Sequence, residues 1–468
     1  MNNNTLKSIF SYFIGNMSSK LLSVLLIPIY AYFVSVEDLG DYDYFIALLN
    51  IIVPIAYLNV WDAELKYLIG YEKLKERKYF ISNAFFIMLC GQLTLAIIVA
   101  ILFLFNLVSA QHITISYVYF SGFGWLFYFQ YLCRGFKDNK LYVKSSLLST
   151  FLHIILIIIL VIGFKLGFIG LVISDVCTNI IIILLFSNKI HFVKFLDVKY
   201  VNKKLVFEII KFSFPLTVNI ISVWMTSGIS KIIVTRFVSS FANGIYSFGN
   251  RFAVIITTIG TVVNMALLEE AYSYKSIEEF RDNTKSLISR MAKIYISIIL
   301  ILIPSIKILF DVALKSTDYY LSIELVPAFM ILSFISIISG IIGNAFTVTG
   351  KTNRLFICSL TGAVVNILVG LLLIRHLSYY GVLIAQLLGN ITIILMKAAF
   401  AYKEAKLRVR WNILFIGCVT CMIVGYISYQ INFYWNMVSF VAICFFIFLW
   451  NKKDIMVIIA KIKHRKED

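Results

Sequence analysis

The chain has 468 residues, 60% of them hydrophobic and 14% charged, with a formal net charge of +18. Soluble domains carry about 25% charged residues, so this surface needs a bilayer as its solvent. The positive balance would suit nucleic acid, but the cations lie in short loops beside apolar runs, which excludes a nucleic-acid partner and makes the charge a topology signal.

Fourteen apolar stretches follow in chain order. They lie near 10–34, 42–66, 80–105, 113–133, 143–164, 167–188, 212–237, 241–268, 291–314, 323–348, 355–376, 380–400, 411–430 and 433–451. Runs such as 154-IILIIILVIGF-164 are continuous rather than alternating, so they predict helices and not a barrel. The first stretch is too long for a cleaved signal and reads as a span. With the N-terminus inside, most Lys and Arg fall in cytoplasmic segments, and the outer loops carry only Lys165, Lys315 and Arg375. The acidic string 37-EDLGDYD-43 reads as an outer loop. The alternation places both termini in the cytoplasm. The linker 188-NKIHFVKFLDVKYVNKK-204 and the basic tail read as resting on anionic membrane lipids.

The chain repeats itself. Segment 33-FVSVEDLGDYDY-44 matches 237-FVSSFANGIYSF-248 at an offset of 204, and 170-GLVISDVCTNI-180 matches 381-GVLIAQLLGNI-391 at 211. Two halves of six spans each would run in parallel orientation, with the substrate path between them. The expected fold is all-α and polytopic, with about 14 transmembrane helices: two parallel six-helix repeats around a central cavity plus two C-terminal helices. The expected domains are 1–188, a cytoplasmic linker 189–211, a second half 212–400, and 411–468 for the accessory helices and tail.

Several patterns carry no chemistry. The string 345-AFTVTGKT-352 has Ala where a phosphate-binding loop needs its first Gly. Cys418 and Cys421 sit within an apolar span without a cation to form thiolate. The histidines at 112, 153, 191, 376 and 464 are dispersed, so no metal cluster is expected, and His153 reads as a packed polar residue. No cofactor is implied, and no catalytic constellation is visible.

Charge inside the membrane is the positive signal. An ionised group at bilayer depth costs at least ~2.5–3.5 kcal/mol on insertion scales, so it faces a wet cavity or a partner. Lys20 and Arg251 each fall about ten residues into their spans, roughly 15 Å deep. With Lys231 and Lys66 they form the expected cationic cavity, suited to a phosphate or pyrophosphate headgroup. Asp62, Glu64 and Asp175 are the candidate ion-coupling carboxylates. Asp62 and Lys66 are spaced as an i,i+4 pair.

The segments 37-EDLGDYDYF-45, 244-GIYSFGNR-251 and 349-TGKTNRL-355 resemble the multidrug/oligosaccharidyl-lipid/polysaccharide exporter superfamily. Within it the resemblance is to the bacterial O-antigen and capsule repeat-unit flippases, where a Gly-x-Tyr-Ser stretch precedes a basic residue; Gly244, Tyr246, Ser247 and Arg251 fit. Ser230-Lys231 departs from an acidic-basic pair that relatives often carry. The resemblance implies a flippase for undecaprenyl-pyrophosphate-linked oligosaccharide in the bacterial inner membrane, feeding lipopolysaccharide or capsule assembly, with a polysaccharide polymerase and a chain-length regulator as partners. Rival readings are a multidrug cation antiporter or a peptidoglycan-precursor flippase of the same fold. A membrane-bound glycosyltransferase would need a large outer loop or clustered carboxylates.

Overall fold

The computed structural model describes residues 26–464, apart from 69, 72, 274 and 275. All regular structure among these residues is helical, as expected where each backbone polar group must be satisfied within its own segment. The helices are α1 (Leu26–Phe33), α2 (Val36–Tyr57), α3 (Val60–Leu68), α4 (Leu74–Leu104), α5 (Ile113–Gly135), α6 (Asn139–Ile157), α7 (Gly167–Ile190), α8 (Lys203–Met225), α9 (Gly228–Phe237) and α10 (Ser240–Ser273). They continue with α11 (Ile277–Leu309), α12 (Val326–Val348), α13 (Asn353–Ala405), α14 (Trp411–Gln430) and α15 (Phe433–His464). Among the described residues, ten helical segments are long and apolar enough to cross a membrane. The chain is a multi-pass membrane protein.

Two expected spans are broken helices, and two others run on across a kink. The second stretch divides into α2 and α3 at Leu58 and Asn59, both in the left-handed region (φ 51 and 46), just after Pro54. The seventh divides into α8 and α9. There the Asn366 side-chain amide donates to the Thr226 carbonyl at 3.2 Å, satisfying an acceptor that the break sets free. In α13, Ser378 (φ 52) separates two helices that correspond to the eleventh and twelfth stretches.

The acidic string expected as an outer loop is helical instead. Ser35 caps α2 by accepting from the Asp38 amide at 3.0 Å. Glu37 and Asp38 then occupy the first turn, where the helix dipole favours carboxylates. Asp43 is consequently not a loop residue but a buried one, 5% exposed.

The chain forms two compact units, Met1–Ser247 with Ser359–Gly389, and Phe248–Cys358 with Asn390–Asp468. In the first, the two copies of the 204-offset repeat lie against each other. A Cβ on Gly40 would stand 1.8 Å from the Ser240 carbonyl oxygen, and one on Gly244 would stand 2.0 Å from the Val36 carbonyl oxygen. Ser240 and Gly244 are themselves the repeat counterparts of Val36 and Gly40, so the crossing is symmetric. Asn243 locks it by donating to the Gly40 carbonyl at 2.7 Å. The linker is tied to α4 in the same unit. Asn83 donates to the Tyr200 carbonyl at 2.8 Å and accepts from the Asn202 amide at 2.7 Å.

In the second unit, a π-turn at Phe310–Leu314 follows α11. Lys307 is buried there, paired with Asp311 and donating to the Tyr320 hydroxyl at 3.0 Å.

Candidate functional site

Four helices of the first unit converge on one carboxylate. Asp175 lies on α7 and is 9% exposed. Tyr42 of α2 donates to its Oδ2 at 2.7 Å, and Tyr119 of α5 donates to the same oxygen at 3.3 Å. On the other side, His153 Nε2 of α6 stands 3.2 Å from Oδ1. Both tyrosines are buried, so their hydroxyls depend on this acceptor. The periodicity of α7 puts Asp175 on its buried face with Leu171, Val172, Thr178 and Asn179.

The second half of the repeat carries a neutral version of this contact. Tyr246, the counterpart of Tyr42, donates to Gln386 Oε1 at 2.5 Å. Gln386 in turn is the counterpart of Asp175 at the 211 offset.

A second charged contact is made by the next residue of α2. Lys231 Nζ of α9 is 2.8 Å from Asp43 Oδ1, with the two side chains 19% and 7% exposed. The carboxylate absent beside Ser230-Lys231 is thus supplied from another helix. Ser230 itself accepts from Asn366 at 3.2 Å. The ammonium of Lys231 is thereby engaged within the protein.

The other expected residues scatter. Lys20 lies outside the described residues. Lys66, exposed on α3, does not pair with Asp62; its Nζ sits 3.9 Å from the centre of the Phe212 ring. Asp62 instead lies within the field of Arg134. Glu64 is fully buried, and neither carboxylate oxygen has a hydrogen-bond partner among the described residues. The Tyr128 hydroxyl, close enough to feel Glu64 electrostatically, also has none among them. Arg251 lies half-buried on α10 in the second unit, next to the ring pair Phe248 and Phe252.

Sequence reasoning gave no site role to Tyr42, Tyr119 or Lys397, put Asp43 in an outer loop and took His153 as a packed polar residue. Lys397 lies within α13 and donates to the Ser339 carbonyl of α12 at 3.3 Å. Its neighbour in charge is Cys358, a buried thiol. A run of apolar residues on both sides of Lys397 was the signal available.

Broken membrane helices and buried charges characterise this fold. Solved structures share it. A lipid II flippase, MurJ, in an inward closed conformation matches with a TM-score of 0.72 at 14% identity, over 94% of this chain and 99% of that one. An inward-facing multidrug resistance MATE family transporter of the MOP superfamily matches at 0.65 and 14% identity, over 83% and 94%. A MOP superfamily transporter from Pyrococcus furiosus, described as having a binding pocket of reverse polarity, matches at 0.56 and 14%, over 86% and 96%. At these identities the likeness is one of fold. Among curated protein sequences none matches. The model of the polysaccharide biosynthesis protein family matches residues 5–268, more than half of the chain, and the protein belongs to that family.

Proposed function

We propose that the protein is a flippase that moves an undecaprenyl-pyrophosphate-linked oligosaccharide, an O-antigen or capsule repeat unit, from the inner to the outer leaflet of the bacterial cytoplasmic membrane. The family match over residues 5–268 carries this reading, and the MurJ-like fold supports it. Transport proceeds by alternating access, with the sugar and pyrophosphate in a polar path and the lipid tail in the bilayer. Arg251 is the proposed pyrophosphate contact, because a guanidinium keeps its charge at any depth and grips phosphate oxygens in pairs. Lys20 and Lys66 are secondary candidates, since Lys231 is held by Asp43. Both termini face the cytoplasm, and a polymerase and a chain-length regulator receive the product outside.

Deleting the gene tests this. The expected result is loss of long surface polysaccharide with lipid-linked repeat units held on the inner leaflet. A strain that keeps its surface glycan but becomes sensitive to cationic drugs makes the protein a multidrug antiporter. Lysis with accumulated peptidoglycan precursor makes it a precursor flippase, the reading that the fold match to MurJ favours next.

A further inference from the structure

We infer that a basic cleft at one end of the second unit binds the phosphate headgroup of a lipid in the inner leaflet. The site stands on its own geometry and charge, and does not depend on which cargo the protein moves.

Two segments far apart in the chain build the cleft. One is the start of α11, where Ser276 caps the helix by accepting from the Glu279 amide at 3.2 Å. Phe280, Thr284 and Ile288 recur there at helical spacing and are buried. Arg281 and Lys285, each one position after a buried residue, therefore stand along the rim of that packed face, one turn apart. The other segment is the end of α13. Lys406 takes the left-handed conformation (φ 54), and its amide donates to the Tyr402 carbonyl at 2.9 Å. The Leu407 amide donates to the Ala401 carbonyl at 3.4 Å, and the Leu407 side chain is buried, so a leucine anchors the reversal. The chain thus turns back over Tyr402. Lys406 Nζ stands 5.5 Å and the Arg408 guanidinium carbon 5.9 Å from the centre of the Tyr402 ring.

Arg281, Asp282, Lys285, Tyr402, Lys406 and Arg408 line one open cleft of about 320 Å³, which is room for a headgroup. It gathers four cations and a single carboxylate. That carboxylate is already engaged: Arg281 Nε donates to Asp282 at 2.9 Å. Glu278, which also acts on Arg281, belongs to the turn before. The excess charge rests on Lys406 and Arg408, neither of which has a carboxylate at ion-pair distance among the described residues. Like charges drawn to one ring repel each other, and an anion between them relieves the repulsion. A solvated basic face would spread its cations along one helix; here folding brings them together from two.

Depth selects a lipid over a soluble anion. The expected apolar stretches begin at 291 on α11 and end at 400 on α13. Lys285 and Tyr402 lie just outside them, Lys285 by roughly 9 Å at 1.5 Å per residue. That is the headgroup layer, where tyrosine also collects. Leu395, two turns before Tyr402 on the same face of α13, is 50% exposed and offers the lipid chain an apolar seat. Both segments fall on the side that Lys and Arg mark as cytoplasmic. Phosphate is the matching anion, because a guanidinium grips its oxygens in pairs and an ammonium adds a point charge. Two kinds of lipid present that chemistry, an anionic phospholipid and a polyprenyl diphosphate.

The test is thermal unfolding of the purified full chain, titrated with phosphatidylglycerol, undecaprenyl pyrophosphate, zwitterionic phosphatidylcholine or inorganic pyrophosphate. At least one of the two anionic lipids should raise the unfolding temperature, and neither phosphatidylcholine nor inorganic pyrophosphate should match it. A rise with phosphatidylglycerol makes a membrane phospholipid the occupant; a rise confined to undecaprenyl pyrophosphate makes it the cargo lipid. Lys406→Gln with Arg408→Gln should raise the apparent Kd for the active lipid roughly 25-fold, since each cation at an anionic headgroup contributes a factor of about five. Lys403→Gln with Arg410→Gln removes the same charge from exposed residues of the same segment outside the cleft, and should leave the Kd unchanged. Lys285→Gln, on the opposite wall, should raise the Kd about fivefold, and it decides the matter if the first pair fails to fold. No rise with either anionic lipid overturns the proposal, as does an equal rise with inorganic pyrophosphate. A Kd indifferent to the cleft variants, or equally weakened by the outside pair, overturns it too. The flippase reading fails separately, through normal surface glycan in the deletion strain, whatever the titration gives.

Discussion

Lys231 and Asp43 face each other at 2.8 Å across α9 and α2, 188 positions apart in the chain and both largely removed from solvent. Removing one partner of such a pair leaves a stranded charge, which costs about 3 kcal/mol where burial is complete and less here. Lys231→Gln or Asp43→Asn alone should lower the amount of inserted protein. The double variant should restore it, because two neutral polar side chains can meet in the same place. Membrane-inserted protein measured by immunoblot checks this. Equal loss in the singles and the double would mean that the pair contributes nothing as a pair.

The crossing of α2 with α10 gives a second prediction. Gly40 and Gly244 leave no room for a methyl group, because the obstacle in each case is the other helix's carbonyl oxygen rather than a movable side chain. Gly40→Ala or Gly244→Ala must push the two helices apart and stretch the Asn243 to Gly40 hydrogen bond. Each should reduce glycan per inserted protein to well under half of the native value. Full activity of inserted Gly40→Ala and Gly244→Ala protein would refute the crossing.

Topology gives a third. The linker holding Tyr200 is pinned to α4, and Asp282 lies beside Arg281 on an exposed turn of α11. Both belong to the cytoplasmic side if Lys and Arg mark it. Single cysteines at Tyr200 or Asp282, in a cysteine-free background, should resist an impermeant thiol reagent in intact cells and react after permeabilisation. Reaction from outside at either place would invert the model.

What the sequence made legible follows from where each signal lives. Long apolar runs are local and survive in any context, so the helices from α2 onward fall where expected. The break at Leu58 and Asn59 does not show, because non-glycine residues adopt the left-handed region there without a local signature, whereas the kink at Ser378 falls in the gap between the eleventh and twelfth expected stretches. Asp43 was misplaced because the acids of 37-EDLGDYD-43 were read by charge alone. Ser35 ahead of Glu37 and Asp38 is a helix-start pattern that would have moved them into α2. Asp175 stood out as an intramembrane acid. Its partners did not, since Tyr42, Tyr119 and His153 come from three other helices and only tertiary packing joins them. The repeat came closer than any other signal, for it already aligned Tyr42 with Tyr246 and Asp175 with Gln386.

Arg251 decides between a cargo contact and a structural cation. It follows Gly244 by seven residues on α10 and is half-buried in the second unit. Lysine keeps its charge but loses the planar fork, and alanine loses both. If Arg251 holds the pyrophosphate, Arg251→Ala should insert normally and give no surface polysaccharide, while Arg251→Lys should keep part of the activity. If it instead neutralises a protein carboxylate, Arg251→Ala should lower the inserted protein itself, because the acid would be stranded. Glycan normalised to inserted protein separates the two outcomes. Normal glycan per inserted Arg251→Ala protein would remove Arg251 from the cargo path, and the charge reversal Arg251→Glu should then be tolerated as well.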